Sequence, residues 1–238
     1  MMIRAGVALL AVSMLVSCGS SVEQSAPPPT VSATASTTPA PHTPAPTPPR
    51  AVSPRPTTPA ATPRQIDLAR LVVPSDTFTQ TSSRDWDQQR VGPFDLERFV
   101  SMLSGTPKED RQLFSRHGFV RGHVSIRMSS DERRLVVYLY RFRTHDGAVA
   151  LQKSFWGQYE HGDKFRVEGI SRTWTDSGLK KNSTRYTATA NVNFVVGKVL
   201  AQVTVTESNK TGNGLRPDTQ LAADIAKLQH DLLLKAAS

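Results

Sequence analysis

Residues 119–142 read FVRGHVSIRMSSDERRLVVYLYRF, and the hydrophobic pattern within them decides the fold. Val120, Val124, Ile126 and Met128 fall on one side of an extended chain, with Arg121, His123, Ser125 and Arg127 on the other. Ser129-Ser130-Asp131-Glu132 supplies a polar turn. The return stretch, Leu135 to Phe142, is apolar on both faces. Such a strand belongs in the centre of a sheet covered at least in part on both sides.

Outward from this hairpin the period changes to that of helices. Asp95 opens one helix with Leu96, Phe99, Val100 and Leu103 on one face and Gly105 at its end. Thr106-Pro107-Lys108-Glu109 starts a second, with threonine as the cap, and Gly118 stops it after Leu113 and Phe114. After the hairpin, Thr144 or Asp146 caps a helix striped by Ala148, Leu151, Phe155 and Tyr159. Phe165 to Trp174 reads as a strand. Tyr186, Ala188, Ala190, Val192 and Phe194 then alternate with Thr187, Thr189, Asn191 and Asn193. Gly197 turns the chain, and Val199, Ala201, Val203 and Val205 line the return strand. Pro217 opens a last helix with Leu221, Ala222, Ile225, Leu228 and Leu232 as its buried face. The order predicts an α+β domain, an antiparallel β-sheet with helices packed on it. A hairpin followed by a helix occurs twice, which hints at an internal duplication.

The first 63 residues obey other rules. Met1-Met2-Ile3-Arg4 carries one positive charge, and Ala5 to Val16 is small or apolar apart from Ser13. That run is too short for a membrane span, which needs roughly 18–20 residues, and has the layout of a secretory signal peptide. It ends in Leu15-Val16-Ser17-Cys18, followed by Gly19-Ser20. Those residues resemble the lipobox of bacterial lipoprotein signal peptides: an aliphatic residue, a tolerant position, a small residue and an obligatory cysteine. The resemblance implies a diacylglyceryl thioether on Cys18 and cleavage before it. A thiolate is a strong nucleophile, Cys18 is the only cysteine in 238 residues, and two acyl chains suffice for stable anchoring.

Between Pro27 and Pro63 lie 13 of the 17 prolines, interleaved with Thr, Ser and Ala. This composition cannot bury enough surface to offset ordering entropy and reads as a disordered, extended tether. The expected organisation is therefore a signal peptide at 1–17, a lipidated cysteine and linker at 18–63, and one globular domain at 64–238. The layout resembles that of surface lipoproteins of high-GC Gram-positive bacteria, which implies a place on the outer face of the cell membrane.

Catalytic patterns are missing from the sequence. It has no HExxH, no GxSxG elbow, no phosphate-loop pattern and no second cysteine. Glu160, His161 and Asp163 cluster, and read as a solvated polar turn. Trp86, Trp156 and Trp174 read as core residues. The expectation is a non-catalytic domain without cofactor or metal.

Charge is more informative. From Arg64 onward the chain has 26 Lys and Arg against 19 Asp and Glu, a net charge of +7. Arg121, His123 and Arg127 share a strand face, Arg133 and Arg134 adjoin the turn, and Arg141 and Arg143 end the next strand. These seven form a candidate anion-binding face, attractive over roughly 8–10 Å at physiological salt. Outside a bacterial membrane the matching partners are anionic wall polymers or lipid headgroups, and nucleic acid is not expected. The function expected is a non-catalytic binding module on a lipid anchor. The rival readings are a carrier of an apolar ligand in a groove between helices and sheet, and an envelope hydrolase.

Replacing Cys18 with serine tests the anchor. The wild-type protein should incorporate radiolabelled palmitate and partition into the detergent phase, and Cys18→Ser should do neither. Equal partitioning and equal apparent mass would contradict lipidation.

Overall fold

The computed structural model describes residues 67–157 and 161–238. The expected signal peptide, Cys18 and the expected linker lie outside the described residues. A single 3-10 turn at Leu68–Leu71 leads to β1 (Gln80–Thr81), α1 (Asp85–Arg90), β2 (Gly92–Phe94), α2 (Leu96–Met102) and α3 (Pro107–Arg116). The hairpin follows as β3 (Phe119–Met128) and β4 (Arg134–Phe142), then α4 (His145–Trp156). β5 (Trp174–Lys181), β6 (Tyr186–Val196), β7 (Val199–Asn209) and α5 (Thr219–Ala237) complete the order.

All the strand pairings are antiparallel, in the order β1-β3-β4-β7-β6-β5, with β2 also paired to β3. β4 lies inside the sheet, as its two apolar faces require. Leu135, Val137 and Leu139 join Val192, Phe194, Ala201, Val203 and the α5 residues Ala222, Ile225, Ala226 and Leu233 on one side. Val136, Tyr140 and Phe142 join Phe99, Phe114, Ala148, Leu151 and Leu200 on the other. The sheet is thus covered by α5 and the 3-10 turn on one face, and by α2, α3 and α4 on the other. Phe114, Phe142 and Phe194 are fully buried, each contributing roughly 1.5–3 kcal/mol relative to exposure. Among the described residues no helix is long and apolar enough to cross a membrane.

Side chains set the helix starts. Asp95 accepts from the Arg98 amide at 2.9 Å, Thr144 from Gly147 at 3.0 Å, and Asp218 from Leu221 at 3.0 Å. Thr106 makes no side-chain cap. Ser104 serves there instead, accepting from the Thr106 amide at 3.0 Å and donating to the buried Asp110 at 2.6 Å.

Other expectations shift for identifiable reasons. A bulge between Phe119 and Arg121 takes Val120 out of phase, leaving it 46% exposed. The strand expected at Phe165 to Trp174 is an irregular segment containing Gly169 at φ +81° and Arg172 at φ +59°. Strand pairing begins at Trp174, and Val167 and Ile170 are buried in the α5-side core. The last helix starts at Thr219, with Asp218 rather than Pro217 setting its start. Its buried face is rotated: Gln229 is fully buried, while Leu228 is 56% exposed. Gln229 donates to the Leu71 carbonyl at 2.6 Å and accepts from the Val73 amide at 2.9 Å, fastening the 3-10 segment to α5. A duplication has no counterpart. A two-fold axis relating antiparallel β4 and β7 would put α4 and α5 on the same face, and they lie on opposite ones.

Gly122 tests the packing of β2 on β3. A Cβ there would stand 2.0 Å from Phe94 Cζ, so the ring occupies the space a side chain would fill. Gly122→Ala should cost about 1–3 kcal/mol through overpacking, read as a lower denaturant midpoint. An unchanged midpoint would contradict the packing.

Candidate functional site

The sheet divides the basic residues picked out from sequence. Arg121, His123 and Arg127 share one face of β3, and Arg141 lies directly across from Arg121. Arg127 donates to the Val73 carbonyl, and Arg133 is held by Asp131 at 2.8 Å and Asp218 at 3.0 Å. Arg134 projects from the opposite face of β4. Arg143 is exposed beyond the strand end, where it lies over Gly118. Burial, then the neighbouring Arg141, disfavours the charged form of Arg121. Burial also lowers the His123 pKa below its ordinary value, with Asp67 opposing the shift. The unfolded chain therefore takes up that proton first, and His123 costs stability as pH falls through its ordinary range near 6.5. The seven residues do not make one continuous face.

Other candidates are placed differently from expectation. The tryptophans are half-buried at the margins of the sheet rather than in its core. Arg90 lies 3.4 Å from the centroid of the Trp86 ring. Trp156 stacks on His161 with centroids 3.8 Å apart and meets Trp174 edge-on at 5.5 Å. His161 Nε2 bonds the Trp156 carbonyl at 2.8 Å. Asp163 pairs with Ser177 through the backbone, and Glu160 lies outside the described residues. Among the described residues, no three His, Cys, Asp or Glu form a group able to hold a metal.

A site emerges instead on the helix-poor half of the α4 side of the sheet. Gly178, Thr189, Thr206, Arg134 and Met128 are successive register partners across β5, β6, β7, β4 and β3. The next row is Asp176, Asn191, Thr204 and Val136, followed by Trp174, Asn193, Gln202 and Tyr138. α4 packs toward Val195, Leu200 and Tyr140, while Asn191, Gln202, Thr204, Thr206 and Ser208 stay partly exposed. Two open clefts border the first row, one toward β5 and one toward β4. One is lined by His161, Asp176, Lys180, Thr189 and Asn191, the other by Arg84, Glu132, Arg134, Arg185, Thr206 and Ser208.

The floor is pre-organised. Thr204 donates to Asn191 Oδ1 at 2.7 Å, Asn191 Nδ2 approaches Asp176 Oδ2 at 3.4 Å, and Asp176 Oδ1 accepts from the Gly162 amide. The Thr187 and Ser208 hydroxyls bond at 2.8 Å. At the α1 wall Asp87 is only 1% exposed. It receives Arg134 through Nη2 at 2.6 Å and Nε at 3.2 Å, and Ser82 Oγ at 2.7 Å. Burial holds Arg90 below its usual pKa and raises that of Tyr138, whose shift Arg90 and Arg134 oppose. Fixed neutral hydrogen-bonding groups beside cations suit the recognition of a polar ligand.

Half of this floor is visible in the sequence as the Thr and Asn positions that alternate with apolar residues in β6, a pattern that marks a strand and not a site. The matching positions of β7, in AQVTVTES, carry the same alternation. The Asp87–Arg134 pair joins residues 47 apart and had no local signal.

No family model matches this chain, and no curated protein matches it. Among solved structures it is similar to the extracellular domain of PknH from Mycobacterium tuberculosis, with 12% identity and a TM-score of 0.33, over 66% of this chain and 93% of that one. An overlap that shallow bears on neither ligand nor mechanism.

Asp87→Ala should be strongly destabilising, by about 3–5 kcal/mol, because it leaves the Arg134 charge buried without its partner. Asp87→Ala combined with Arg134→Met should recover much of that loss in a double-mutant cycle by chemical denaturation. Two strictly additive losses would show the pair to be uncoupled.

Proposed function

We propose that the mature chain is a lipoprotein held at the outer face of the cell membrane by a diacylglyceryl group on Cys18. In this reading its folded domain is a non-catalytic module that binds an anionic envelope component, a wall polymer or a lipid headgroup. The lipobox residues Leu15 to Cys18 support the anchor, and the proline-rich stretch supports display of the domain away from the bilayer.

The observation that carries the binding role is the cross-sheet row from Gly178 to Met128, with its two clefts. An antiparallel sheet commonly leaves one face to water, and a merely solvated face needs only scattered charges. Here the partly exposed positions on β6 and β7 are mainly Thr, Ser, Asn and Gln, several of them bonded to one another, with arginines at one margin and stacked aromatic rings at the other. Both apolar clusters are filled by buried side chains, and the cleft framed by Arg84, Arg134 and Arg185 is lined mainly by polar groups.

Binding of the purified mature protein to isolated cell-wall polymer and to phosphatidylglycerol vesicles tests the role. Retention should fall steeply as salt rises, in keeping with screening over about 8–10 Å at physiological ionic strength. Asn191→Leu and Thr206→Ile, each remaining folded, should weaken retention at least about tenfold, as expected for losing one or two charge-assisted hydrogen bonds. Retention indifferent to both variants would remove the sheet face from the account.

A further inference from the structure

We infer that the cleft framed by Arg84, Arg134 and Arg185 is a phosphate subsite of the polar face. This deepens the binding reading above and rests on it.

Three arginines and the hydroxyl-bearing Thr206 and Ser208 line this cleft, against one carboxylate, Glu132. The arginines come from separate parts of the chain. Arg84 immediately precedes α1, Arg134 opens β4, and Arg185 immediately precedes β6. The two hydroxyls belong to β7 between them. Register places Thr206 beside Arg134 and Ser208 beside Thr187. Donors converging from walls and floor suit a tetrahedral oxyanion better than a flat carboxylate, which a single guanidinium fork already satisfies.

Two of the guanidinium groups are fixed before any ligand arrives. Arg134 spends Nε and Nη2 on the buried Asp87, and Nη1 lies outside that pair. Arg185 spends Nη2 on the Ser208 carbonyl at 2.8 Å. Its Nε is buried with no hydrogen-bond partner. Its Nη1 lies outside that bond, so each of the two fixed groups keeps a terminal nitrogen beyond its protein partner. Asp87 is then a positioning residue: it holds the Arg134 fork while its charge offsets only one of the three arginines.

The phosphate could belong to a soluble or wall-bound phosphodiester polymer or to a lipid headgroup, and the two sources share the recognition chemistry. The test uses the mature lipoprotein in neutral detergent, with three probes: inorganic phosphate by calorimetry, soluble poly(glycerol phosphate) by the same method, and phosphatidylglycerol against phosphatidylcholine vesicles by flotation. Saturable binding of inorganic phosphate and of the soluble polymer is expected. Arg84→Ala with Arg185→Ala should weaken both at least about tenfold. Arg143→Ala, which removes an equal charge per site outside the cleft, should change them less than about twofold. Polymer binding with no response to phosphatidylglycerol assigns the source to a polymer, and binding of both admits the headgroup.

Failure of wild-type protein to bind inorganic phosphate and the soluble polymer would overturn the subsite. So would equal losses in the cleft and Arg143 variants, which would mark a diffuse charge effect. If wall-material retention then still depends on Asn191 and Thr206, the binding reading stands and the phosphate subsite alone falls. If that dependence is absent too, both fall.

Discussion

The antiparallel pairing of β4 with β7 is the constraint on which the molecule depends. Eight register pairs, from Arg134–Thr206 to Arg141–Val199, join two hairpins distant in sequence into one sheet. A one-residue slip would turn Leu135, Val137 and Leu139 away from α5 and bring Val136, Tyr138 and Tyr140 into their place. If β7 turned over instead, Thr204 and Thr206 would take the places of Val203 and Val205. The two cores exclude every odd-numbered slip, because each would then have to accept polar groups. The absence of a second cysteine leaves this burial, rather than a disulfide, as the source of stability.

The same register produces the candidate site. Once the α5 face takes Ala190, Val192, Val203 and Val205, the alternate positions of β6 and β7 must face the other way. Helix α4 covers one end of that face, and its packing against Leu200 and Tyr140 leaves the Thr, Ser and Asn positions toward the far end. The Asp87–Arg134 pair stands at the border between these regions. It neutralises a cation where the apolar cluster ends and leaves positive charge where the clefts begin. Packing and electrostatics are therefore arranged by one decision about which side chains go inside.

Much of this was legible in the residues. Strict alternation in β6 and β7 and the two-sided apolar run of β4 identified the sheet, because period-2 patterns survive any tertiary context that buries one face. Caps at Asp95 and Thr144 were readable because they act locally. The Phe165–Trp174 stretch misled because Val167 and Ile170 are buried from irregular backbone, which periodicity does not register. α5 misled because its apolar arc is wider than its contact. Gln229 sits in the centre of that contact, where a polar residue is tolerated only because the 3-10 segment supplies its partners. Arg121, His123, Arg127, Arg134 and Arg141 lie on strands, Arg133 in the adjoining turn and Arg143 beyond the strand end, but what each arginine bonds to is decided by residues far away, such as Asp87 and Asp218. No reading of the hairpin alone reaches those.

The central claim is that the Thr- and Asn-lined face is where the domain meets its ligand. Methyl NMR of the threonines addresses it directly, since Thr187, Thr189, Thr204 and Thr206 lie on that face and Thr77, Thr79, Thr144 and Thr219 lie elsewhere. On titration with solubilised anionic wall polymer, the first group should shift together along a single saturable curve while the second stays still. Saturable binding with the first group unmoved would contradict the account.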